Sequence, residues 1–361
     1  MAKFKIENFQ KMLEWSKSEF RQLPWRKKRS PYTTLVSEIM LQQTTVKTVE
    51  QHFQRFLNLY PDISTLAKAS EEEIQVAWKG LGYYRRARNL LKAAKTIQAD
   101  HAGKIPKDYE TLVQIPGIGD YTASALVSIG YNKKAIALDA NISRVLSRAW
   151  DIQLDGLSPL KQIRAIKYLF NEKFENLESF KDYRDLNESL MDVGRVFCQA
   201  RKASCSLCPL SKNCESFKGG KIQKLIAEKP KKVSKYYELE LARAIVKNSK
   251  GEILMLQKNK GEWLEGQFEL PTFILKTEDE KLQQYQAIKK KQFKAKKENQ
   301  LKSAITKYKI LNYYNEISKD QLLTILERKR IPTTMKWMDC NDKRIAHVSQ
   351  KILKEYWKKY E

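Results

Sequence analysis

The chain has 361 residues, with 68 lysines and arginines against 42 acidic residues and a formal charge of +26. A hydrophobic fraction of 42% supports a sizeable core, which excludes a wholly disordered chain, and the length suggests two domains. No stretch approaches the roughly 18 apolar residues of a membrane span, and the N-terminus Met1-Ala2-Lys3-Phe4-Lys5 has no signal-peptide core, so a soluble intracellular protein is expected. So large a positive charge suits a polyanionic partner.

Apolar residues recur at spacings of three and four over 3–20, 31–60, 85–101, 139–150 and 160–174, so the first half reads as helical. Breaks fall at Pro24, Pro31, Pro61, Gly80-Leu81-Gly82 and Pro116-Gly117, and Ser30-Pro31 and Asp62 look like helix starts. Glu38 lies in an otherwise apolar helical stretch. Buried there, it would have the raised pKa that a proton donor needs; a surface glutamate on an amphipathic helix is the plainer alternative. In Ile115-Pro116-Gly117-Ile118-Gly119-Asp120-Tyr121-Thr122-Ala123, Gly117 and Gly119 permit a tight turn whose N–H groups could hold a phosphate. Asp139, before a helix, has the position of an N-cap, with Asn141 and Arg144 following as helix residues.

Four of the five cysteines cluster: Cys198, Cys205, Cys208 and Cys214, with Cys340 far away. An intracellular chain gives no reason to pair them as disulfides. Four thiolates can surround one metal centre, and the spacing leaves zinc and iron–sulfur equally open. Arg195, Arg201, Lys202, Lys212 and Lys218 flank the cluster and could rest on a phosphate backbone.

Residues 217–236, with Gly219-Gly220 and Lys229-Pro230-Lys231-Lys232, read as a linker. Strand-like runs follow at Tyr236 to Val246, Ile253 to Gln257, Phe268 to Phe273 and Tyr308 to Tyr314, interrupted by helical stretches at 278–298 and 319–328. That pattern suggests a second domain of mixed α+β structure.

The order of Leu23-Pro24-Trp25-Arg26, Ser37-Glu38-Ile39-Met40-Leu41-Gln42-Gln43-Thr44, Gly80-Leu81-Gly82-Tyr83-Tyr84, the hairpin at 115–123, Asp139-Ala140-Asn141 and the four cysteines resembles MutY-type adenine DNA glycosylases, strongly over 1–216 and weakly beyond. The resemblance implies a multidomain α and β protein: an all-α helix-hairpin-helix glycosylase domain with an iron–sulfur cluster loop over 1–216, a linker over 217–236, and a smaller α+β Nudix-like lesion-recognition domain over 237–361. It implies a 4Fe–4S cluster at Cys198, Cys205, Cys208 and Cys214 and a monovalent cation at the hairpin. The implied partner is duplex DNA carrying adenine opposite 8-oxoguanine or guanine, met by a monomer in the bacterial cytoplasm at the nucleoid, with no membrane.

The implied reaction is base excision repair by monofunctional hydrolysis of the adenine N-glycosidic bond. Adenine must leave the stack before its sugar bond can be reached. Glu38 matches the acid that protonates N7 and then helps water. Asp139 matches the carboxylate that stabilises the cationic sugar, with Asn141 orienting it and Tyr121 hydrogen-bonding beside both. Endonuclease III-like enzymes carry a Schiff-base lysine where this chain has Tyr121, and a phenol cannot form that imine. Gln43 and Tyr83 match positions that enter the DNA stack, Thr44 and Leu81 positions beside the opposite base; Gln42, Gly117 and Gly119 complete the expected DNA contacts. In the second half, Gln267-Phe268-Glu269-Leu270-Pro271 is similar to a segment of the Nudix-like domain, but no Nudix metal box is present, so pyrophosphohydrolysis is not expected. Ile305-Thr306-Lys307 stands where the family has a Phe-Ser-His lesion-sensing loop; Thr306 keeps a hydroxyl and Lys307 adds a cation, but Phe and His are replaced, which predicts that 8-oxoguanine is still preferred by a smaller margin. Two other readings compete: a related glycosylase acting on mismatched thymine or oxidised pyrimidine, and a catalytically silent DNA-binding cluster protein.

Overall fold

The structure, a computed structural model, describes residues 9–152, 154, 157–173, 180–227, 236–296, 298–326 and 334–360. The chain divides into two compact units, Met1–Lys231 and Lys232–Glu361.

The first unit is helical and has two lobes. One core gathers Leu35, Ile39, Phe53, Trp78, Leu90 and Leu112, from helices between Pro24 and Ala125. The other gathers Met12 and Leu13 of the first helix, Gln10–Phe20, with Ile142, Leu146, Leu186 and Val193 of later helices. The chain thus begins in one lobe, builds the other, and returns.

The helix Pro31–Leu41 starts where Ser30 accepts the N–H of Thr33 while the Thr33 hydroxyl accepts the N–H of Ser30, with Pro31 already set for a first helical turn. Leu35, Val36, Ile39 and Met40 are buried, and so are Thr34, Ser37 and Glu38. A helix covered on every side belongs in the middle of a lobe, so a polar group on it is buried by position. The expected helical run 31–60 is broken at 42–45, where Gln43 takes a left-handed backbone (φ 57°), and resumes at Val46–Leu59.

Ile222–Ala227, within the expected linker, is a helix whose Ile222 is buried. The stretch Lys229-Pro230-Lys231-Lys232 lies outside the described residues, as do the start of the expected 3–20 helix and Lys297.

The second unit holds eight described strands: β1 (Tyr237–Ile245), β2 (Ile253–Gln257), β3 (Phe268–Glu269), β4 (Thr272–Thr277), β5 (Gln286–Ala287), β6 (Gln300–Ile305), β7 (Tyr308–Glu316) and β8 (Met335–Met338). They form a mixed five-stranded sheet, β5-β4-β1-β7-β6, and a three-stranded sheet, β3-β2-β8. The expected single strand Phe268 to Phe273 is two, because Pro271 has no N–H to give and the chain changes sheets there. Among the described residues, the helix expected over 278–298 is reduced to Lys290–Phe293. Asp279 instead accepts the N–H of Lys281 in a turn, Tyr285 and Ile288 go into the core, and Lys294 ends the short helix at φ 49°.

Candidate active site

Glu38 is 5% exposed, and the Tyr121 hydroxyl donates to its Oε2 at 2.5 Å. Tyr121 sits in the first turn of the helix Asp120–Ala125, which runs on as a π-turn over Leu126–Gly130 and packs against Pro31–Leu41. The approach is close: a Cβ on Gly130 would lie 3.2 Å from the Pro31 Cα. Burial pushes the Glu38 carboxyl up to about 7, opposed by the Tyr121 hydrogen bond and Arg26 and reinforced by the negative charges of Glu188 and Asp139. Burial, with Glu38 and Asp139 nearby, holds the Tyr121 phenol well above its ordinary range, so it stays a donor.

Asp139 opens the second lobe as the N-cap of Ala140–Ala149: its Oδ1 accepts the N–H groups of Asn141 (2.9 Å) and Ile142 (2.7 Å). Its Oδ2 accepts the Asn141 amide Nδ2 at 2.9 Å. Burial raises its pKa, against the hydrogen bonds from Ile142 and Asn141 and the nearby Arg144. One oxygen therefore caps the helix while the other meets only a side-chain amide. The arrangement gives the two carboxyl groups different surroundings: Glu38 is pushed up to about 7, while hydrogen bonds from Ile142 and Asn141 oppose the rise at Asp139.

Sequence reasoning gave no role to the groups behind these. Asn141 Oδ1 accepts from Arg144 Nη2 (2.8 Å), and Arg144 also donates to the carbonyls of Gly194 (2.8 Å) and Cys198 (2.6 Å). Gly194 permits this contact, since a Cβ there would stand 2.8 Å from the Asn141 Cβ. Beside Glu38, Arg26 pairs with Asp192 through Nη1 (2.8 Å) and with Glu188 through Nε (3.4 Å), and Arg29 reaches Glu188 at 2.5 Å. Arg26, Arg29, Glu188 and Asp185 also line a cleft of about 1110 Å³. The available signal was Glu188 and Asp192, four apart among Tyr183, Leu186, Leu190 and Val193: two acids on an otherwise apolar helix, Tyr183–Val196.

Among the residues expected to meet DNA, Gln43 is exposed and Tyr83 is 53% exposed, and both hold left-handed backbone at φ 57° and 49°. Such conformations cost roughly 1–2 kcal/mol and gather where geometry serves function. Gln42 Nε2 lies 3.4 Å from the Thr122 hydroxyl, Thr44 is half-buried, and the Leu81 side chain is buried at 4%. Gly117 (φ 97°) is irreplaceable, since a Cβ would stand 2.3 Å from the Asn89 carbonyl oxygen; Gly119, the N-cap of the next helix, has open space around it. In the second unit Thr306 (φ 48°) tips the β6–β7 turn, and Lys307 is held by Asp279 at 2.9 Å beside the Tyr237 ring.

Cys198, Cys205, Cys208 and Cys214 line one cavity, walled by Val145, Arg148 and Leu210. Arg148 Nη1 lies 3.4 Å from the Cys198 sulfur. Among the described residues no group of three or more His, Cys, Asp or Glu side chains could hold a single metal ion. Also among the described residues, no helix is long and apolar enough to cross a membrane.

A family model described as HhH-GPD superfamily base excision DNA repair protein matches residues 36–181. The chain is similar to the adenine DNA glycosylase of Buchnera aphidicola subsp. Schizaphis graminum, 33% identical over 257 residues that cover 71% of this chain and 69% of that one. It is similar to that of Buchnera aphidicola subsp. Baizongia pistaciae, 36% identical with 62% of each chain covered, and to the human one, 34% identical with 60% and 40% covered. Among solved structures, a thermostable thymine-DNA glycosylase is similar at 29% identity and TM-score 0.51, over 58% of this chain and 94% of that one. The family match over residues 36–181, together with the adenine DNA glycosylase relatives, puts this chain in the class of helix-hairpin-helix base excision DNA repair proteins. Within that class, the chain belongs to the adenine DNA glycosylase family. The match spans 62% of the Baizongia relative's length and 40% of the human one's.

Proposed function

We propose that the protein hydrolyses the N-glycosidic bond of adenine in duplex DNA, where adenine stands opposite 8-oxoguanine or guanine, and leaves the strand intact. The observation that carries this is the buried Glu38, held near neutrality by burial and hydrogen-bonded by Tyr121, with Asp139 acting on it. A carboxyl at about 7 is half protonated at neutral pH, so it can give a proton to a purine ring nitrogen and take one from water afterwards. As the base departs, positive charge grows on the deoxyribose. The Asp139 oxygen that meets only the Asn141 amide is the one free to face that charge. Tyr121 holds Glu38 in place and offers no amine to the exposed sugar carbon, which supports release without strand cutting.

The likeness to a thymine-DNA glycosylase favours a second reading, release of mismatched thymine. Thymine lacks the basic purine N7, so a neutral-range acid is better matched to adenine. Single-turnover assays on duplexes with adenine opposite 8-oxoguanine, guanine and thymine, and with thymine opposite guanine, decide between them: adenine release supports the proposal, and thymine release alone rejects it.

A 4Fe–4S cluster at Cys198, Cys205, Cys208 and Cys214 belongs to the same reading. Four thiols lining one mostly apolar cavity are the donor set that such a cluster takes. Bound, the group would fasten the 198–214 loop through thiolate bonds. About four irons per chain with visible absorbance is the expected result; one zinc without colour rejects it. The second unit is proposed as the lesion-reading domain, with Thr306 and Lys307 at its turn. Because Asp279 already holds the Lys307 ammonium, that cation adds little attraction for a lesion, in keeping with a modest preference for 8-oxoguanine.

A further inference from the structure

Arg86 is 7% exposed, and among the described residues its hydrogen-bond partners are four carbonyls and one hydroxyl, with no carboxylate. Nη1 donates to the carbonyls of Ile39 (2.9 Å) and Met40 (2.6 Å), at the end of the helix that carries Glu38. Nη2 donates to the Thr44 hydroxyl (2.8 Å) and to the carbonyls of Leu81 (2.9 Å) and Gly82 (3.0 Å), in the turn before Tyr83. The guanidinium lies 5.5 Å from the Trp78 ring and 5.7 Å from the Tyr83 ring. Burial lowers its pKa to about 10, so it remains a cation at neutral pH.

Two neighbours grip the same turn. Trp78 Nε1 donates to the Gly82 carbonyl at 3.2 Å, and His52 Nε2 lies 3.1 Å from the Lys79 carbonyl. The ring of His52 also explains Gly80, whose Cβ would stand 2.5 Å from that nitrogen. The carbonyls of Lys79, Leu81 and Gly82 are therefore all drawn inward, and Tyr83, left-handed at φ 49°, is left 53% exposed with a cation against its ring. Burying a cation without a counter-ion is costly, and carbonyl dipoles at a helix C-terminus are the compensation available. Packing alone does not call for a guanidinium here. Trp78, His52 and the buried Leu81 hold the turn to its own lobe, and Arg86 is the side chain that donates both to the turn and to the end of the Glu38 helix.

We propose that Arg86 is a positioning residue for base extrusion: it fixes the turn 79–83 to the end of the Glu38 helix, so that Tyr83 stands ready to fill the gap a departing base leaves. This rests on the reading that a base is extruded from a duplex. Lysine keeps the charge but places its donors at one point, so it cannot hold both segments.

The test compares R86K with the unmodified full chain in two measurements. One is the rise in fluorescence when 2-aminopurine replaces the target adenine opposite guanine, followed by stopped flow ahead of any base release, which reports unstacking. The other is single-turnover release of adenine opposite guanine and opposite an abasic site, where little has to be unpaired. R86K is expected to lower the fluorescence change and to lose about 10-fold more rate on the paired than on the unpaired substrate, the scale of lost charged hydrogen bonds. An undiminished fluorescence change, or equal losses on both substrates, would overturn the inference. Should R86K fail to fold, Thr44→Val, which removes one partner of Nη2, carries the same comparison with a smaller expected bias, and equal losses overturn it likewise. Unmodified protein that unstacks 2-aminopurine yet releases no base would reject the proposed function and leave this inference standing.

Discussion

Replacing Glu38 by Gln should stabilise the protein, and more so as pH rises. Folding places this carboxyl where only its protonated form is comfortable, raising its pKa from 4.5 to about 7. A folded-state pKa above the unfolded one contributes stability that is fully present below the unfolded value and is lost as pH rises through the folded value. At 1.36 kcal/mol per unit, the full loss is about 3 kcal/mol, most of it falling between about pH 5 and pH 8. Glutamine keeps the shape and still accepts from Tyr121, but never ionises. Urea unfolding followed by far-ultraviolet circular dichroism, at several pH values across that range, gives the difference between variant and parent. It should widen by about 2–3 kcal/mol toward alkaline pH. A difference that stays flat would refute a buried, neutral-range Glu38.

Base release should follow a bell-shaped pH profile, falling as pH rises through about 7, where Glu38 loses its proton, and again in acid as Asp139 becomes protonated above its usual carboxylate range. The Tyr121 hydrogen bond favours the Glu38 anion, so Tyr121→Phe should move the alkaline limb to higher pH; a downward move would contradict the assignment. Asp139→Asn keeps an N-cap and should retain duplex binding, by gel shift, while adenine release is lost. Gly194→Ala forces a Cβ against Asn141 and should cost about 1–3 kcal/mol of stability in urea titration, with reduced activity.

Local rules place each carboxyl on its helix but do not join them; the pairing comes from the resemblance, since on position alone Glu38 reads as a surface residue and Asp139 as an N-cap. Ser30-Pro31 starts the Glu38 helix, and an Asp before a helix caps it. What the sequence withheld was tertiary reach. Only the fold shows that Arg26, Arg86 and Arg144 each span two chain segments. The helix Tyr183–Val196 was missed because Glu188 and Asp192, which are buried and paired, interrupt its apolar pattern. In the second unit, helix-forming residues over 278–298 suggested a helix, but burying Tyr285 and Ile288 prevailed over local preference. Strand β6 escaped notice because its Lys302 and Ser303 sit on a half-exposed sheet edge, where the apolar signal is weak.

The central claim is that Glu38 and Asp139 act together on one extruded adenine. Its most direct measurement is single-turnover release of free adenine from a duplex with adenine opposite 8-oxoguanine, comparing the parent with Glu38→Gln and Asp139→Asn. The parent should yield adenine and an uncut abasic strand, and the two variants neither product while both still bind the duplex. Adenine release that survives either substitution, or strand cutting through a borohydride-trapped lysine adduct, would contradict it.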